Sequence, residues 1–102
     1  MKKNRVKDEY SHIVETICYN ELIARGYQVY VEKTYKGEVN FIAQKAREKF
    51  YVQTAYILGS REFGAYKEIE DNYPEYVISM DRLQLSRDGI IHMNLCDWLL
   101  QD

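Results

Sequence analysis

Three segments of β type, "YQVYVEK" (27–33), "EVNFIAQ" (38–44) and "KFYVQTAYI" (49–57), follow one another with only the turn sequences "YKG" and "KARE" between them. Valine and aromatic residues alternate with polar ones, as on strands with one buried face. Connections this short permit only a meander, so the middle of the chain is expected to be three strands paired in order. Whatever else the chain forms must pack onto that sheet.

The flanking patterns supply the packing. From Asp8 to Arg25 the residues Tyr10, Ile13, Val14, Ile17, Cys18, Leu22 and Ala24 recur at three- and four-residue spacing, which predicts a helix with one broad apolar face. Gly26 is placed to end it. Between Ser60 and Asp71 the spacing of Phe63, Tyr66 and Ile69 predicts a second helix with Ser60 as N-cap, stopped by "NYP". "YVISM" (76–80) is an apolar run of strand type that follows a helix, so it is expected as a central or parallel strand. "IIHMN" (90–94) predicts a fifth strand, and Asn94 caps a short terminal helix carrying Leu95, Trp98 and Leu99. The fold class is therefore α/β, a sandwich around a mixed sheet in the order α-β-β-β-α-β-β-α, forming a single domain over residues 1–102.

Composition narrows the function. The chain of 102 residues has net charge −2, and its basic run, "MKKNRVK", is confined to the start. No broad phosphate-binding face is indicated, and DNA binding would rest on Lys2, Lys3, Arg5 and Lys7. No stretch approaches the ~18 apolar residues of a membrane span, and no signal-peptide core is present, so a cytoplasmic location without membrane contact is expected. Cys18 and Cys96 sit in apolar patterns and are read as packing residues. With no C-x-x-C and only His12 and His92 as histidines, zinc is not expected. Neither histidine has a serine or cysteine nucleophile arranged nearby with an acid.

The second turn carries the most specific information. If it is centred between Ala46 and Arg47, opposed residues have numbers summing to 93. Asn40 then faces Gln53 and Glu38 faces Ala55, all four on one side of the hairpin, with Val39, Phe41, Ala43, Val52 and Thr54 on the other. Opposed side chains have Cβ atoms ~5 Å apart. Carboxylates at positions 40 and 53 would share a divalent cation; two carboxamides supply neutral oxygens and remove the charge on which such a site depends. The structural reading is that the two amides bond to each other or to nearby main chain. Glu15 borders the helix's apolar stripe and Glu38 ends a strand, so both also suit solvated positions. Glu21 falls mid-stripe and is expected to be paired, with Lys33, Lys36 or a backbone partner.

At these residues the sequence resembles the PD-(D/E)xK nuclease superfamily, whose core is a glutamate-bearing helix, a three-strand meander, a helix and a further strand. The resemblance implies that Glu15 matches the helix glutamate, Asn40 the aspartate of the second strand, Gln53 the second acid and Ala55 the lysine. Glu15 alone is kept. Over nearly the whole chain, "ETICYNELIARGYQVYV", "EVNFIAQ", "FYVQTAY", "REFGAYKEIEDNYPEYVISMD" and "GIIHMNLCDWLL" together resemble the C-terminal, nuclease-like domain of a prokaryotic family of AAA-type ATPases. Members of that family commonly carry aspartate at the place of Asn40 and glutamine at the place of Gln53. Gly59 and Gly64 have P-loop spacing, but Ala65 and Tyr66 stand where the lysine and hydroxyl residue belong, so no nucleotide site is expected in this chain.

The resemblance implies a restriction-endonuclease-like three-layer fold and a vestigial site of Glu15, Asn40, Gln53 and Ala55, beside which the hairpin register sets Glu38, opposite Ala55, as an acid that a shifted metal site would use. A noncatalytic accessory or interaction domain is the leading expectation, its partner an ATPase domain in the same polypeptide or another protein; a homodimer is compatible with it. No cofactor or metal is expected on that reading. The alternatives are a weak DNA endonuclease using magnesium or manganese, and a DNA-binding module without cleavage.

Overall fold

The computed structural model describes residues 5–33, 39–57, 72–83, 85–86 and 89–101. Helix α1 spans Arg5–Ala24, starting earlier than the apolar spacing requires. Its end is built as the sequence implies. Gly26 adopts φ +93°, the left-handed conformation that glycine enters at least cost. The Gly26 amide then donates to the Ile23 carbonyl at 3.0 Å and the Tyr27 amide to the Leu22 carbonyl at 3.1 Å. This pair of bonds satisfies carbonyls that a helix end otherwise leaves open.

Five strands follow: β1 (Gln28–Lys33), β2 (Val39–Lys45), β3 (Glu48–Thr54), β4 (Glu75–Ser79) and β5 (Ile90–Asn94). They lie side by side in chain order, β1-β2-β3-β4-β5. The first three are antiparallel. β4 runs parallel to β3, and β5 parallel to β4, so the sheet is mixed, as expected for a strand reached by a crossover. The predicted helix over 60–71 lies outside the described residues. The tight β2–β3 turn puts Ala46 at φ 52°, and pairs Lys45 with Glu48 on either side of it.

Strand alternation then sorts the side chains. Phe41 and Ala43 of β2, Val52 of β3 and Ile78 of β4 form one buried cluster with Val14, Cys18 and Leu22 of α1. The last helix, α2 (Leu95–Leu99), adds Leu95 and Trp98 to the same cluster. Both described helices thus cover one face of the sheet. Each large side chain buried there contributes ~1.5–3 kcal/mol relative to exposure. Asn94 caps α2, its side-chain oxygen accepting from the amides of Cys96 and Asp97 at 2.9 and 3.2 Å. Among the described residues no helix is long and apolar enough to cross a membrane.

Two expectations are corrected here. Cys96 is exposed, unlike the buried Cys18, because it falls on the outer side of α2 while Leu95 and Trp98 take the inner side. Glu21 pairs with Arg25, one helical turn on at 2.7 Å, rather than with Lys33. The same guanidinium donates to the carbonyls of Trp98 and Gln101, each at 2.9 Å, and lies over the Trp98 ring. Arg25 therefore ties the end of α1 to the end of α2, where carbonyls lack intrahelical donors.

Candidate functional site

The β2–β3 register pairs Asn40 directly with Gln53. Extended along the neighbouring ladders it gives a row across the sheet: Glu32, Asn40, Gln53, Val77, His92. Alternation places this row on the face opposite α1, since the residues flanking it in sequence, Phe41, Val52 and Ile78, pack against that helix. On the row's own face Val77 and Ile90 are buried together, with Ala55 and Leu85 packed against them.

Asn40 and Gln53 are only 5% and 6% exposed. Among the described residues their amide oxygens have no hydrogen-bond partner. The expected bond from one amide to the other's oxygen is thus not made. Burying an uncompensated carbonyl costs on the order of 1–3 kcal/mol, so two at adjacent positions are a concentrated expense for so small a sheet. The chemistry available is that of two buried neutral acceptors. They can receive a proton donor, but they bring no negative charge to a cation.

The other expected site residues separate. Ala55, at the place of the motif lysine, is part of the apolar cluster beside the pair. Glu15 belongs to α1, on the far side of the sheet, where its carboxylate lies 3.6 Å from His12 Nδ1. It does not join Asn40 and Gln53, because Val14 and Cys18 on either side of it turn inward and hold α1 to the other face. Glu38 lies outside the described residues. Among the described residues no three of His, Cys, Asp and Glu are grouped to hold a metal.

The row ends on a constellation that the spacing of residues did not reveal. His92 is buried and its Nε2 lies 2.7 Å from Ser79 Oγ, which in turn lies 2.5 Å from Asp81 Oδ2. The expectation that His92 has no serine and acid nearby is therefore corrected: the β4–β5 register puts Ser79 diagonally across from it. The composition is that of a hydrolase triad, yet the wiring runs the other way. The Leu85 amide donates to His92 Nδ1 at 3.2 Å, so the ring proton sits on Nε2. His92 then donates to Ser79, and Ser79 donates to Asp81. A serine that receives a proton from histidine is not being activated by it, and Ser79 is fully buried.

The arrangement is instead a clasp. Asp81 also donates its amide to Ser79 Oγ, Ser86 Oγ accepts from the His92 amide, and Asn94 donates to the Asp81 carbonyl. Residues on both sides of the β4–β5 connection are thereby tied to β5. Burial pushes the His92 imidazole below its ordinary range, while Asp81 pulls it upward by a smaller amount. A histidine flanked two residues away on each side by Ile90 and Asn94, in a strand of alternating burial, was the available signal: a buried imidazole must find partners.

The chain is 38% identical over 95 residues to an uncharacterized protein of Haemophilus influenzae, a match covering 90% of this chain. It spans only 24% of that relative's own length. No family model matches the chain, and no solved structure matches it.

Proposed function

We propose that this chain is a noncatalytic accessory domain of nuclease-like descent, acting as an interaction module beside an AAA-type ATPase, either within one polypeptide or as a separate protein. One observation carries the reading: at the two directly opposed positions where a nuclease of this architecture needs anionic oxygens, the chain buries two neutral amides. Phosphodiester hydrolysis by such a fold requires a divalent ion to generate hydroxide and stabilise charge on phosphate. Asn40 and Gln53 offer that ion no charge, Ala55 offers no cation to the transition state, and Glu15 is held across the sheet. The similarity to a segment of a much longer protein supports a module that works in the company of other domains.

The test is direct. Purified protein incubated with linear and branched DNA in magnesium or manganese is expected to leave both intact. Cleavage that disappears in Glu15→Ala would overturn the proposal. A companion measurement probes descent. The double change Asn40→Asp, Gln53→Glu puts two like charges ~5 Å apart in a buried site, and should destabilise the fold by about 3–5 kcal/mol without metal. Manganese should restore much of that loss by binding the folded state alone. Equal melting temperatures with and without manganese would deny that these positions descend from a metal site.

A further inference from the structure

The sheet has two margins, and the fold treats them differently. β5 forms one, and the amide of its His92 is taken by Ser86 Oγ, which reaches in from the β4–β5 connection. β1 forms the other. Among the described residues β2 is its one strand neighbour, and no donor or acceptor reaches the main-chain groups on its outer side. Every residue of β1 except Val29 is exposed, Tyr30 at 52% and Val31 at 59%. The strand pairs with β2 without a bulge and contains no proline, so it lacks devices by which sheet edges are kept from pairing.

The uncovered apolar surface continues from the strand onto α1. Phe41 is the β2 partner of Val31, and the Tyr19 ring lies 5.9 Å from it. Ile23 follows one turn further along the helix. Tyr19 and Ile23 are both exposed, so helix and edge strand share one open margin.

A bare edge is completed by another strand, and the side chains of this one match their own copy. A two-fold axis normal to the sheet leaves each side chain on its own face, so it must pass at a residue position and not between two. With the axis at Tyr30 and the strands antiparallel, Val29 opposes Val31 of the second copy on the α1 face. On the other face Tyr30 opposes its equivalent, and Gln28 opposes Glu32 of the second copy. The last pair is prepared in advance. Tyr30 Oη donates to Gln28 Oε1 at 3.3 Å, which leaves the amide's N–H groups for a carboxylate. Other registers fit worse: an axis at Val31 sets Lys33 against Val29, one at Glu32 opposes like charges, and one at Val29 leaves Val31 and Glu32 unpaired.

We propose that this chain forms a two-fold dimer through β1, paired antiparallel with its copy about Tyr30, so that two five-stranded sheets become one. Tyr19 and Ile23 of each copy then flank the joined strands on the α1 face. The inference stands on the strand edge alone and does not depend on the nuclease or ATPase readings.

Sedimentation equilibrium of the full chain over a range of concentrations tests it. Wild type is expected to dimerise reversibly in the micromolar range, as suits an interface of modest area. Tyr30→Lys and Tyr30→Glu each oppose like charges at the axis and should weaken the dimer about tenfold or more. An equimolar mixture of the two faces an ammonium with a carboxylate and should recover a heterodimer. If either variant fails to fold, Val31→Lys, at a position more than half exposed, should weaken the dimer likewise. Deuterium exchange of the β1 amides, fast in the dilute monomer, should slow as concentration rises. A wild type that remains monomeric up to ~1 mM would overturn the proposal. So would a dimer that Tyr30→Lys, Tyr30→Glu and Val31→Lys all leave intact, or a mixture of the two folded Tyr30 variants that fails to pair.

Discussion

His92 and Cys18 are buried titratable groups whose neutral forms the fold prefers, and each has a measurable consequence. The unfolded imidazole takes up a proton near pH 6.5, the folded one at lower pH. Between those values the unfolded chain holds the extra proton, so acid favours unfolding. The contribution of His92 is complete above the unfolded value and is lost as pH falls from ~6.5 toward the folded value, at no more than ~1.4 kcal/mol per pH unit. Urea titrations at several pH values should show this slope in wild type and a shallower one in His92→Gln; identical slopes would show that the folded imidazole takes up its proton as readily as the unfolded one. For Cys18, burial, aided by the Glu15 carboxylate, raises the thiol to about 12. A thiol reagent at neutral pH should therefore modify Cys96 alone in the native protein, and Cys18 only after denaturation. Rapid native labelling of both would contradict the packing of α1.

At the scale of elements, α2 has five residues, far too few to hold helical shape by its own hydrogen bonds. It persists because Asn94 closes its start, Leu95 and Trp98 bury its inner side, and Arg25 occupies its final carbonyls. Arg25→Ala should cost about 2–3 kcal/mol in chemical denaturation, the worth of charged hydrogen bonds lost with no replacement. Arg25→Lys should recover less than half, since an ammonium cannot span Glu21 and two carbonyls as a planar fork does. A loss within ~0.5 kcal/mol of wild type would mean that packing alone holds α2. The Asn94 cap was readable in "NLCDWLL" because capping is local chemistry. The Arg25 link was not, because it joins residues 73 positions apart and no helical period encodes it.

Across the whole molecule the same distinction separates what could be read from what could not. The meander and the Asn40–Gln53 pairing followed from a two-residue turn, which leaves a hairpin one register. A central or parallel place for β4 followed from its apolar run after a predicted helix, whereas its neighbour β3 is given only by the ladder itself. Parallel ladders have no such turn, so nothing in the spacing of Ser79, Asp81 and His92 announced that they meet. The resemblance implied Glu15 beside the amides; helical angle itself only put it at the border of the apolar stripe, and does not say which face of a sheet the helix covers. Burial of Val14, Cys18 and Leu22 against Phe41 and Val52 decides that.

Strand order along the sheet repeats strand order along the chain, so each ladder joins nearest neighbours in sequence. The β2–β3 ladder closes across two residues and costs the least loop entropy, whereas each parallel ladder must first close a longer connection. Assembly is thus expected to spread outward from the central hairpin. In native-state deuterium exchange the backbone amides of β2 and β3 should open last, and those of the solvent-facing margin β1 first.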